Sequence, residues 1–212
     1  ERITTMVDNE IVEKLSVTRA KLEAATTGPA IIAVTSARPT DGSELLAHGL
    51  AMSLASVSHD VLLLNSTSSA RVRGTARIGF RETRDGVPTI ANLAPSYSLE
   101  AAQLAFEEYR RTFRFTVVSA IRPTENGSML SLIGAADFVV IGVEEGRSSK
   151  AEDRELAEAL RAASANVLGV VTIDRAAIRR YGNDAKKSEI RDYRFDREEA
   201  TAQGTQRASA IS

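Results

Sequence analysis

The stretch Ile31-Ile32-Ala33-Val34-Thr35-Ser36-Ala37-Arg38-Pro39-Thr40-Asp41-Gly42-Ser43-Glu44-Leu45-Leu46-Ala47-His48-Gly49-Leu50-Ala51 decides the fold. With Ala30, its first residues make a continuous apolar run of strand length, the pattern of a strand covered on both faces. Turn residues fill Arg38 to Gly42, and Leu45, Leu46, Leu50, Met52 and Leu54 then recur at helical intervals. Strand, small-residue loop and helix start form the framework of a phosphate-binding loop. In such a loop backbone N–H groups converge on the phosphate, and a Lys followed by Ser or Thr opens the helix. Ala37 and Gly42 stand at the two ends of the loop at the right interval, but the Lys position holds Ser43 and the magnesium-ligand position holds Glu44. Glu44 therefore puts a carboxylate at the helix start, where a phosphate would need a cation. Without a phosphate, the same carboxylate favours the helix by about 0.3–1 kcal/mol.

Outward from this unit, strands and helices alternate. Apolar residues Ile11, Val12, Leu15 and Leu22 predict one amphipathic helix over 7–25, stopped by Thr26-Thr27-Gly28-Pro29. Strands are predicted at Asp60 to Leu64, Thr89 to Leu93, Phe115 to Val118, Asp137 to Val143 and Asn166 to Ile173. Helices are predicted from Ser98, a natural N-cap, to Arg111, with Glu107 pairing Arg111, and from Ser128 to Gly134. Ser149 with Glu152 reads as a capping box for a helix to about Ala163. The expected fold is an α/β domain with a mainly parallel sheet flanked by helices. It occupies residues 1–181, with 1–28 as N-terminal helix and linker. Large apolar side chains thin out beyond Tyr181, so 182–212 is expected to be a charged tail, disordered in isolation.

Composition narrows the chemistry. The chain of 212 residues has 27 Lys and Arg against 28 Asp and Glu, a formal net charge of −1, so no global basic field points to nucleic acid. It has no Cys and only two His, His48 and His59, which removes disulfides, thiolate metal sites and a cysteine nucleophile. The absence of Trp and an aromatic content of 5% argue against stacking platforms for bases or sugars. No apolar stretch approaches the roughly 20 residues of a membrane span, and Glu1 to Glu10 lacks the basic and apolar regions of a signal peptide. A soluble, cytoplasmic chain is expected. The first residue, Glu1 rather than Met, is expected to reflect processing or trimming of something longer.

Ala33-Val34-Thr35-Ser36-Ala37-Arg38-Pro39 with Asp41-Gly42, then Val61-Leu62-Leu63-Leu64, resemble the cytoplasmic domain of bacterial tyrosine kinases of capsule and exopolysaccharide assembly. These belong to the MinD/ParA-like group with a deviant Walker A loop. The resemblance continues through Ala136 to Val143, Gly146-Arg147-Ser148 and Asn166 to Val171, and covers roughly Glu10 to Tyr181. It implies a three-layer P-loop NTPase-like fold. The family's Walker A′ Asp falls on Asn65, its second acidic position on Thr67, and its Walker B Asp on Ser119. With no P-loop Lys and no matched carboxylate, the resemblance implies a degenerate member for which neither metal nor cofactor is expected. Its partners would be a membrane polysaccharide co-polymerase of the Wzz type or an active kinase homologue, placing it peripherally at the inner membrane. A homo-oligomer is also allowed, although the family's ring-forming Glu-x-x-Arg-x-x-Arg pattern reads Glu10, Glu13, Ser16 here.

An alternative keeps enzymatic activity, as an ATPase or tyrosine autokinase using ATP and magnesium with relocated groups. Its anion loop would be Ala37, Arg38, Pro39, Thr40, Asp41, Gly42, Ser43 and Glu44 with Arg122, and its phosphorylation sites Tyr181 and Tyr193. A MinD/ParA-like positioning protein is the third reading. The plainer expectations are that Ser43 is a helix-start residue, His48 packs, and Arg38 and Arg122 are solvated loop residues. Likewise, Glu144, Glu145 and Asp153 are charged-loop residues rather than a metal site, and Leu99, Leu104, Phe106 and Phe113 belong to the core.

Overall fold

A computed structural model of the chain describes residues 9–38, 41–57, 60–65, 89–92, 98–121, 123–147 and 149–182. Its elements are α1 (Asn9–Lys14), α2 (Ser16–Ala25), β1 (Ala30–Ser36), α3 (Ser43–Ala55), β2 (Val61–Asn65), β3 (Thr89–Asn92), α4 (Leu99–Thr112), β4 (Phe115–Ser119), α5 (Gly127–Ala135), β5 (Phe138–Glu144), α6 (Lys150–Ala162) and β6 (Val167–Ile173). Contacts divide the chain into two units, Glu1–Ile178 and Arg179–Ser212, and all these elements lie in the first. The expected tail from 183 onward lies outside the described residues. No helix among the described residues is long and apolar enough to cross a membrane.

Six strands pair in the order β3-β2-β4-β1-β5-β6, and every pairing is parallel. β1 is buried along its whole length, as its unbroken apolar run requires. α3 packs on one face across β1, β2, β4 and β5, and α1 and α2 cover its outer side. That double cover explains why Leu45, Leu46, Ala47, Leu50, Ala51 and Leu54 are all buried, so α3 is apolar all round rather than along one stripe. Arg19 of α2 donates to Ser53 O at 3.1 Å and to Ser56 Oγ at 3.2 Å, fastening the outer layer.

The opposite face carries α4 and α5, with α6 packed beside α5. Ala102, Phe106 and Tyr109 form the buried stripe of α4, whereas Leu99 and Leu104 are 47% and 68% exposed. The sequence expectation that both leucines are core is corrected: the buried stripe recurs at i, i+4 and i+7 from Ala102, so Leu104 falls off it, and Leu99 is half-exposed as the first residue of the helix. A fully buried Phe106 contributes about 1.5–3 kcal/mol through the water it sheds. Asp137 ties this layer to β1, accepting from Ile31 N at 2.7 Å and from Arg110 Nη2 at 2.9 Å.

Three local expectations change. The single N-terminal helix is two, α1 and α2, interrupted at Leu15. Glu107 pairs with Arg110 at 2.8 Å and Arg111 with Glu108 at 3.1 Å, so the contacts run i,i+3. Ser149 occupies the N-cap position of α6 but makes no side-chain cap bond, and the Glu152 carboxylate, expected to complete the capping box, lies 3.5 Å from Arg38 Nη1 instead.

Candidate functional site

The strand order reverses between β1 and β4: α3 leads from β1 to one side and α5 from β4 to the other, on opposite faces. In open parallel sheets, ligands bind beyond the carboxyl ends of strands at this point. Here those ends bring together the loop after β1, Asn65 at the end of β2 and Ser119 at the end of β4. Asn65 is in register with Ser119, and Ser119 with Val34. The two positions where the resemblance places missing carboxylates are thus neighbours in space.

The loop folds onto itself. Arg38 O accepts from both Ser36 Oγ at 2.7 Å and Asp41 N at 3.1 Å, making a tight turn. Gly42 then sits at φ 76°, a left-handed conformation that ordinary side chains avoid, and a Cβ there would lie 2.8 Å from Ile178 Cγ1. The result is a buried turn delivering Ser43 to the first position of α3 without a side-chain cap. Pro39 and Thr40 lie outside the described residues.

Arg38 is engaged through all three guanidinium nitrogens. Nε donates to Asp41 Oδ1 at 2.9 Å, Nη2 donates to Arg147 O at 2.7 Å, and Nη1 stands 3.5 Å from Glu152 Oε2. Its side chain is only 10% exposed, which corrects the expectation of a solvated loop arginine. The bond to Asp41 raises the Arg38 pKa, and burial opposes that rise. Burial pushes the Asp41 carboxyl above its ordinary range, with the Arg38 bond acting against it.

Four buried oxygens around this turn find no hydrogen-bond partner among the described residues: Asp41 Oδ2, Ser43 Oγ, Asn65 Oδ1 and Ser119 Oγ. Such groups are the places to ask whether a ligand belongs. The donor set does not fit magnesium, which takes one or two carboxylates together with phosphate oxygens. Asp41 offers the sole carboxylate among these four, it already binds a guanidinium, and its burial disfavours charge. Arg38, the cation among the described residues of the loop, is paired with Asp41 and Glu152.

His48 is buried in α3. Its Nδ1 lies 3.0 Å from Glu44 O and must donate to it, leaving Nε2 to accept from Asn65 Nδ2 at 3.3 Å. Burial lowers its pKa, consistent with this neutral tautomer. Asn65 therefore spends its amide nitrogen on holding α3 against β2, a contact the sequence pattern does not reveal. Glu144 is 4% exposed and accepts from Arg147 at 3.3 Å and Arg175 at 3.2 Å. Glu145 is exposed, and Asp153 lies on α6. Arg122, Thr67, His59 and Tyr193 fall outside the described residues, and Tyr181 belongs to the second unit.

No family model matches the chain and no curated protein does. Among solved structures, the kinase domain of the Escherichia coli tyrosine kinase ETK matches with TM-score 0.64 and 16% identity over 79% of this chain and 78% of that one. The chimerical protein CapA2B2 matches with TM-score 0.62 and 18% identity over 77% of this chain and 84% of that one. The BceF tyrosine kinase domain gives 0.57 and 18% over 77% and 76%. The chain thus has the α/β P-loop NTPase-like fold that these tyrosine kinase domains share.

Proposed function

We propose that this chain is a non-catalytic relative of the bacterial tyrosine kinases, a scaffold or regulator in exopolysaccharide or capsule assembly that docks on a membrane polysaccharide co-polymerase. The observation that carries this reading is the Arg38–Asp41 pair, 2.9 Å apart, inside the loop where a phosphate would sit. Phosphoryl transfer depends on positioning and on neutralising the charge of the transferring group. Here Ser43 replaces the Lys, Glu44 brings a negative charge to the helix start, and the loop's own arginine is already satisfied. The co-polymerase as partner is supported only by the resemblance of the sequence to tyrosine kinases of capsule and exopolysaccharide assembly.

Calorimetric titration of the folded chain with ATP and magnesium is expected to give no binding heat. Incubation with ATP is expected to release no phosphate and leave Tyr181 and Tyr193 unmodified. Micromolar binding, or phosphotyrosine at either position, would overturn the non-catalytic reading and favour a relocated active site. Co-purification with a co-polymerase cytoplasmic segment tests the partner.

A further inference from the structure

A groove of about 460 Å³ lies between α6 and the β5–β6 end of the sheet, with Ala37 of the loop after β1 among its lining residues. Leu156 and Leu160 of α6 form one wall, and Val167 and Val170 of β6 form the other. These two valines are 43% and 60% exposed, large apolar side chains left open to solvent. They are three residues apart and would point to opposite faces of a regular strand. A register shift corrects this: Val139 pairs with Val167, but Val140 pairs with Gly169, so Val170 lies opposite Ile141. The bulge puts both valines on the groove side. β6 is also the last strand of the sheet, and among the described residues its outer backbone groups face no further strand. A seven-residue apolar strand in that position is a template for another strand.

The charges of the groove indicate what covers it. Its two charged lining residues, Asp153 and Arg161, both belong to α6 and are eight residues apart, about 12 Å along the helix. One charge of each sign, at opposite ends of one wall, is self-complementary under a two-fold axis. Rotation about an axis perpendicular to the sheet sets two β6 strands antiparallel and two α6 helices antiparallel on the same face. Each Asp153 then meets the partner's Arg161, and the valines of both copies close one shared apolar floor. A partner of uniform charge would be repelled at one end of the groove.

We propose that the α6–β6 face is a self-association surface, covered by a second copy of this chain in a two-fold dimer. The proposal is independent of the reading of the phosphate loop. Sedimentation velocity of the full chain over a wide concentration range is expected to show a monomer–dimer equilibrium. Val170→Lys, at a solvent-exposed position, is expected to weaken the dimer by about tenfold or more, with an unchanged thermal melt at concentrations low enough that both chains are monomeric. Arg161→Asp is expected to weaken it as well, because two acidic residues then face each other, and Asp153→Arg combined with Arg161→Asp is expected to restore it. A chain that stays monomeric throughout, or a dimer indifferent to Val170→Lys, overturns the proposal. Failure of the double exchange to recover what the single exchange lost overturns the two-fold charge pairing.

Discussion

Arg38 and Asp41 illustrate how much depends on one residue's surroundings. Their i,i+3 spacing is visible in the sequence, and it is the local half of the arrangement. The other half comes from Arg147 O, 109 residues away, and from Glu152, which no local pattern brings to the loop. A loop arginine therefore reads as solvated until the fold supplies its acceptors. Removing Arg38 strands a carboxylate that is 1% exposed, and breaking such a pair from one side costs about 3–5 kcal/mol. Arg38→Ala is expected to lower unfolding free energy by that order in urea titrations. Adding Asp41→Asn is expected to recover most of the loss, since no charge then remains to be desolvated. Equal, additive losses would mean that the pair is not coupled.

At the scale of elements, the strands were the most legible part of the chain, because a parallel sheet covered on both faces demands unbroken apolar runs. β6 shows the limit of that signal. Val167 to Ile173 is as apolar as an inner strand, yet Val167, Val170 and Thr172 are exposed, and its bulge leaves no mark in the sequence. Helix starts were legible in position more than in chemistry. Ser98 and Ser149 look alike as caps, but only Ser98 accepts a bond, from Ala101 N at 3.2 Å. Ser98→Ala is accordingly expected to cost about 1 kcal/mol, a drop in melting temperature of about 2–4 °C for a domain of this size. Ser149→Ala is expected to leave the melt nearly unchanged. The residue types at the candidate site are read directly from the sequence, whereas the contacts they make, such as Asn65 to His48, depend on strands and helices coming together.

For the molecule as a whole, stability below neutral pH should carry the signature of His48. Its folded pKa lies below its ordinary 6.5, so the unfolded chain takes up the proton first, and stability present above 6.5 falls as pH descends toward the folded value. One such group gives at most about 1.4 kcal/mol per pH unit. Asp41 acts in the opposite sense: its raised pKa means the folded state binds the proton first, adding stability as pH falls through that pKa toward 3.8. Urea titrations between neutral pH and mild acid are expected to show the His48 decline, and His48→Gln is expected to flatten it. An unchanged slope in that variant would assign the decline to another group.

The sheet order also governs how the chain is made. β1 is synthesised first among the strands but pairs only with β4 and β5, and the bond from Thr35 to Ala120 spans 85 residues. At cellular elongation rates, that separation corresponds to a wait on the order of 10 s. During the wait, a strand that is buried along its whole length in the folded domain has left the ribosome without a neighbour, and β2 cannot serve because β4 must enter between them. A nascent chain stopped before Phe115 is therefore a natural client for chaperones, since among the described strands both partners of β1, β4 and β5, come later.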